Sequence, residues 1–205
     1  AKAVVSNSGI TNTIKNLTDR EDYSDEFLEK ADKIRVNTSS CQVYLGIREG
    51  DRIDDVGDLL FTSKSPEFDS EELLDMKTKS KTFSIYYPKT RPGADRYTIV
   101  ASMNSRFEDW AKLDEETYQF EKQSLISRSI SDLTKYLPGV EEKIDWAEAA
   151  TPRTFNSYTL HTQGTSFGTK FEGILEKKFQ FFPRKKNYQP APTRVPKSFQ
   201  IQKIR

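Results

Sequence analysis

Histidine and cysteine each occur once in this chain, at His161 and Cys41. A single cysteine excludes an intramolecular disulfide and points to a reducing compartment. One histidine and one cysteine cannot furnish a transition-metal cage, so no metal ligands are expected. A Ser–His–Asp or Cys–His arrangement would have to recruit His161, and no nucleophile-elbow motif surrounds any serine. Glycine is sparse, at 9 of 205 residues, and neither G-x-G-x-x-G nor a P-loop occurs. No stretch of about 18 apolar residues exists to span a bilayer, and the opening AKAVVSNSGI lacks the pattern of a signal peptide. The adjacent acids Asp54-Asp55, Glu115-Glu116 and Glu141-Glu142 read as solvated faces or helix-start charge. By this inventory no catalytic residue is expected.

Apolar residues make up 35% of the chain, below the roughly 45–50% of an average globular protein. Aromatic residues make up 12%, with 13 Phe and 9 Tyr, which argues against disorder and fits either a sparse, aromatic-rich core or one face meant to meet something else. The net charge of +1 hides an asymmetry. Residues 177–205 carry nine Lys and Arg and no acid, leaving 23 basic and 31 acidic residues in 1–176. With no zinc-finger, RNA-recognition or helix-turn-helix pattern, the basic end reads as a solvated segment, and no nucleic-acid partner is expected. Pro190, Pro192 and Pro196 make it an extended connector.

Along the chain, AVVS at 3–6 has the composition of a short buried strand, and GITNTIKNL that of one or two helical turns. DYSDEFLEKADKI predicts a helix capped by Ser24, with Phe27, Leu28, Ala31 and Ile34 on one face. RVNTSSCQVYLGIR at 35–48 has strand composition, with Val36, Cys41, Val43 and Leu45 pointing inward. Three further strands are expected in GDLLFTS, KTFSIYYPKT and DRYTIVASMN, with a short helix SEELLDMK after the first. Phe83, Ile85 and Tyr87 alternate with polar neighbours, and TRPGAD turns into the next strand to form an antiparallel pair. The longest helix is predicted over 115–137, capped by Asp114 and stopped by Pro138-Gly139. Its apolar stripe is Tyr118, Leu125, Ile126, Ile130, Leu133 and Leu137. In ATPRTFNSYTLHTQGTSFG, Thr151 is placed to cap a short helix with Pro152 at its first position and with Phe155, Tyr158 and either Thr159 or Leu160 on its packed face. The glycines follow this helix, so they serve a tight turn and not a phosphate loop. The fold class is α+β: a mixed or antiparallel sheet of about four to six strands, covered by helices on one face.

Four stretches in order carry a family resemblance. They are AKAVVSNSGITNTIKNL, TSSCQVYLGI, the long YQFEKQSLISRSISDLTKYLPGVEEKIDWAEAATPRTFNSYT, and GTSFG. In the third, a Tyr-x-x-x-Lys helix leads into Leu-x-x-x-x-Pro-Gly, an acidic strand, then Ala-Thr-Pro and a short helix. This set resembles the middle portion of the phytoene desaturase, carotenoid isomerase and retinol-saturase-like group of FAD-dependent oxidoreductases. The resemblance covers about residues 3–168 and implies three parts: 1–18 as the strand-and-turn of an FAD-binding domain, 19–168 as the substrate-binding domain, and 169–205 as a return segment. The family's Rossmann fingerprint and its second Gly-Asp segment are not in this sequence.

The resemblance implies FAD chemistry on a carbon–carbon double bond of a long apolar polyene in the full-length enzyme, with this chain inactive alone. Ser6 and Asn7 would approach the flavin. The channel would be lined by Phe83, Ile85, Tyr87, Tyr97 and Ile99. Tyr158, Gly164, Phe167 and Gly168 would lie at the domain junction. The expected setting is cytoplasmic or membrane-peripheral, with self-association through an exposed interface. The alternative is a stand-alone, non-catalytic module for a lipophilic ligand or a protein partner.

Overall fold

The computed structural model describes residues 4–91 and 93–170. Five strands form one antiparallel sheet: β1 (Ser39–Ile47), β2 (Leu59–Ser63), β3 (Ser80–Tyr86), β4 (Thr98–Ser105) and β5 (Ile144–Ala150). Their spatial order is β2-β3-β4-β1-β5. The expected antiparallel pair of β3 and β4 is present, with Phe83 opposite Ala101 and Ile85 opposite Ile99. β1 lies between β4 and β5, pairing Val43 with Ala101 on one side and with Ala149 on the other.

Strict alternation gives this sheet two unlike faces, because successive side chains in a strand point to opposite sides. Val43 and Leu45, Phe83 and Ile85, and Ile99 and Ala101 are all buried on one face. Their neighbours Gln42, Tyr44, Thr82, Ser84, Val100 and Ser102 share the other face and are half-buried.

The apolar face is covered by helix. In chain order the helices are α1 (Ile10–Asn12), α2 (Asp25–Asp32), α3 (Ser70–Leu74), α4 (Phe107–Ala111), α5 (Glu115–Leu133) and α6 (Pro152–Thr159). α1 runs directly into a π-helical segment, Thr13–Leu17. Asp114 caps α5 by accepting the Thr117 N–H, and Tyr118, Leu125, Ile126 and Leu133 are buried against the sheet as the stripe requires. Each fully buried side chain of this kind contributes about 1.5–3 kcal/mol. Trp110 of α4 is wholly buried beside them, its indole N–H donating to Ser105 Oγ at 2.9 Å. The helix expected to reach residue 137 ends at Leu133, and one further turn carries the buried Leu137 to Gly139, whose φ is +76°.

Two local expectations fail. Val4 and Val5 are exposed and belong to no strand, because a strand so short gains hydrogen bonds only from a neighbour and none pairs with it among the described residues. Tyr158 is 86% exposed, so the inward side of α6 is made by Thr151 and Pro152 at its start.

Candidate functional site: a cavity on the open face of the sheet

The half-polar face of the sheet carries the large cavity of the described structure, about 840 Å3 in volume. Its floor is built from alternate residues of three central strands: Ser40 and Gln42 of β1, Thr82 of β3, and Ser102 and Asn104 of β4. The register explains the grouping, since Ser40 pairs with Asn104, Gln42 with Ser102, and Ser102 in turn with Thr82. Directly opposed residues in an antiparallel pair project to the same side, so these five form one continuous patch.

The walls mix large apolar side chains with polar and acidic ones. Phe61 of β2, Phe68 in the loop before α3, Leu73 of α3 and Phe167 in the closing turn surround the floor. Phe61, Phe68 and Phe167 are 76%, 86% and 63% exposed, so the rim is an array of bare rings around a hydrogen-bonding base. Such a mixture of apolar and polar groups is what small-molecule sites offer.

Local chemistry holds the rim in place. Asp69 caps α3 by accepting the Glu71 N–H at 2.8 Å. Glu72 accepts from the hydroxyls of Thr78 (3.0 Å) and Ser80 (3.3 Å) and from the backbone N–H of Lys79, which ties α3 to the start of β3. On the opposite side, Ser166 shares a 2.6 Å hydrogen bond with Ser40, and Ser39 donates to the Gly164 carbonyl at 2.5 Å. Residues 165–170 then run antiparallel to the approach to β1, with Asn37 N–H donating to Gly168 O and Lys170 N–H to Arg35 O.

Gly164 has a specific steric reason to be glycine. Its φ is +57°, and a Cβ there would lie 2.2 Å from the Pro152 carbonyl oxygen. Gly168 also has positive φ, at +70°, but open space surrounds the place of its Cβ. Capping of α6 matches the expectation: Thr151 Oγ1 accepts from Thr154 N–H while Thr154 Oγ1 accepts from Thr151 N–H. Tyr118 of α5 adds a 3.0 Å hydrogen bond to the same Thr151 hydroxyl, which fastens α6 to the long helix.

The residues proposed from the sequence fall into three places. Phe83, Ile85 and Ile99 lie in the core beneath the helices, at 0%, 1% and 0% exposure, and do not reach the cavity. Tyr87 and Tyr97 meet edge to face at a centroid distance of 5.9 Å, with the Tyr87 hydroxyl accepting from Val56 N–H, so they close the core beside the 54–57 loop. Phe167 alone of the eleven proposed positions lines the large cavity. Gly168 lines a much smaller one, about 40 Å3, formed where Gly9 to Asn12 meet His161 and Thr165. The N-terminal turn and the Gly164–Gly168 turn thus share one corner of the molecule. His161 serves that corner, with Nδ1 3.2 Å from the Thr165 carbonyl.

Ser6 and Asn7 are the positions that the resemblance turns toward FAD. Both lie in an irregular stretch; Ser6 is exposed and shares its hydroxyl with Thr13 Oγ1 at 2.7 Å. Among the described residues no group of three or more His, Cys, Asp and Glu is placed to hold a metal ion. The floor of the cavity was missed from sequence, although its signal is visible: hydroxyl and amide residues recur at every second position of strands that turn out to be central. No helix of the described residues is long and apolar enough to cross a membrane. Compared with known proteins, the chain matches no family model, and no curated protein matches it.

Proposed function

We propose that this chain is the substrate-binding part of an FAD-dependent oxidoreductase of the phytoene-dehydrogenase type, and that its open-face cavity receives a long, largely apolar polyene. The observation that carries this reading is the cavity itself: about 840 Å3, with phenylalanines on its rim and a hydrogen-bonding floor. A site of that kind binds and orients an apolar chain and excludes water, while a cofactor supplies the chemistry. Bound flavin would supply hydride exchange.

The ordered motifs support the same reading. Val-Val-Ser-Asn at 4–7 leads into the turn that packs against the closing Gly-x-x-x-Gly turn, and both lie at one corner of the molecule. Phe167 extends from that corner into the cavity wall. A flavin held by flanking segments would therefore meet a substrate lying on the sheet from the Phe167 side.

The experiment is to read the coding sequence on both sides and express the longer product. The reading expects an upstream G-x-G-x-x-G, a downstream Gly-Asp segment and absorbance in the flavin bands. A colourless, FAD-free protein with both flanks restored would count decisively against it.

A further inference from the structure

We propose that the cavity takes a lipid whose polar end is uncharged, a hydroxyl or carbonyl group, and that it rejects the corresponding carboxylate. This rests on the preceding reading of the cavity as a site for a long apolar chain.

The floor is polar at its centre. A site built only for a hydrocarbon would not place Gln42, Thr82, Ser102 and Asn104 at its centre, because burying a polar group without a partner costs about 1–3 kcal/mol in proteins. Among the described residues, the side chains of Thr82, Ser102 and Asn104 make no hydrogen bond with one another or with any neighbour. Gln42 accepts from the Tyr44 hydroxyl, which occupies its carbonyl and leaves its NH2 as a donor. The floor thus presents unspent donors and acceptors in the middle of a ring of phenylalanines. A ligand group able both to donate and to accept would satisfy them.

The sign of the charge points the same way. The charged residues of the rim are Glu67, Asp69 and Glu72, all acidic. Lys81 is the single cationic residue among the described lining, and its ammonium lies on the other side of the sheet, 2.7 Å from Asp132 and almost fully buried. Among the described residues no cation therefore faces the cavity to receive a carboxylate, and three carboxylates would repel one. An anion would lose its hydration and gain only repulsion. A neutral alcohol meets neither cost.

The test uses the 205-residue chain and three fluorescent probes that share one conjugated straight-chain tetraene: the alcohol, the carboxylate and the hydrocarbon. At pH 8 the alcohol should bind about tenfold more tightly than the carboxylate and several-fold more tightly than the hydrocarbon. Thr82→Val and Ser102→Ala together should erase the alcohol's advantage over the hydrocarbon, weakening the alcohol and tightening the hydrocarbon, whose chain no longer buries two unpartnered hydroxyls. Glu67→Gln should narrow the gap between alcohol and carboxylate. Saturable binding that does not discriminate among the three would overturn this inference and leave the cavity as a site for apolar chains. A carboxylate that binds as tightly as the alcohol, or tighter, would overturn it as well. Failure of all three probes to saturate would overturn both this inference and the cavity's role in binding an apolar chain.

Discussion

Lys81 and Thr82 are consecutive residues of β3, and they serve opposite faces of the sheet. The Lys81 ammonium is 4% exposed and donates to Asp132 of α5 at 2.7 Å, whereas Thr82 lies in the floor of the open cavity. The pairing clamps the long helix to one side of the sheet, and the other side carries the cavity. Asp132 also receives Lys64 at 2.7 Å and Lys135 at 2.9 Å.

Removing the acid should cost far more than removing the buried base. Asp132→Asn would leave the Lys81 cation buried without its counter-charge, a loss of about 3–5 kcal/mol. Lys81→Met would leave Asp132 with two lysines that are more than half exposed, and should cost much less. Urea denaturation of both variants checks the order; equal losses would contradict it.

The same carboxylate should set part of the acid sensitivity. Burial pushes the Asp132 carboxyl up, but hydrogen bonds from Lys64, Lys81 and Lys135 outweigh this and hold it well below the ordinary carboxylate range. A value lower in the folded state than in the unfolded chain gives stability that is complete above about pH 4 and is lost as pH falls further. Denaturation midpoints should fall more steeply for the wild type than for Asp132→Asn between pH 5 and pH 3. Parallel slopes would show that another group carries the effect.

The two glycines of the closing turn should respond unequally. Gly164→Ala adds a Cβ at 2.2 Å from the Pro152 carbonyl, while Gly168→Ala adds one in open space at a comparable positive φ. The second change meets only the left-handed backbone penalty, about 1–2 kcal/mol, and the first adds a backbone clash to it. Thermal denaturation should therefore rank Gly164→Ala as clearly the more damaging.

Cys41 should behave as an inert core residue. It is 2% exposed, and burial is the main cause that pushes its thiol up to about 12, against smaller lowering effects from Ser105 and Arg128. A thiol reagent at pH 8 should label the native protein negligibly and the urea-unfolded protein fully. Rapid labelling of the native chain would mean that the sheet opens at β1.

The elements were largely legible because their periods are clean. Alternation in KTFSIYY marks β3, and Asp114 with the 3.6-residue stripe marks α5. β5 has no such signal of its own. Four of its seven residues are exposed, and its place at the sheet edge removes the need for an apolar face. The assignment of faces was less legible. Phe83, Ile85 and Ile99 look like channel residues because they are apolar, yet that same apolarity sends them under the helices. The cavity floor comes from the polar residues between them, and the strand pattern alone does not say which face a helix will cover.

The most direct test of the open-face cavity compares two neighbours in β3 by their effect on binding of the conjugated tetraene alcohol. Thr82→Trp fills the cavity from its floor; Phe83→Leu alters the sealed core on the other side. We expect saturable binding by the wild type, at least a tenfold loss in Thr82→Trp with its melting temperature nearly unchanged, and unchanged affinity in a less stable Phe83→Leu. Loss of binding in Phe83→Leu with full retention in Thr82→Trp would place the site on the other face of the sheet.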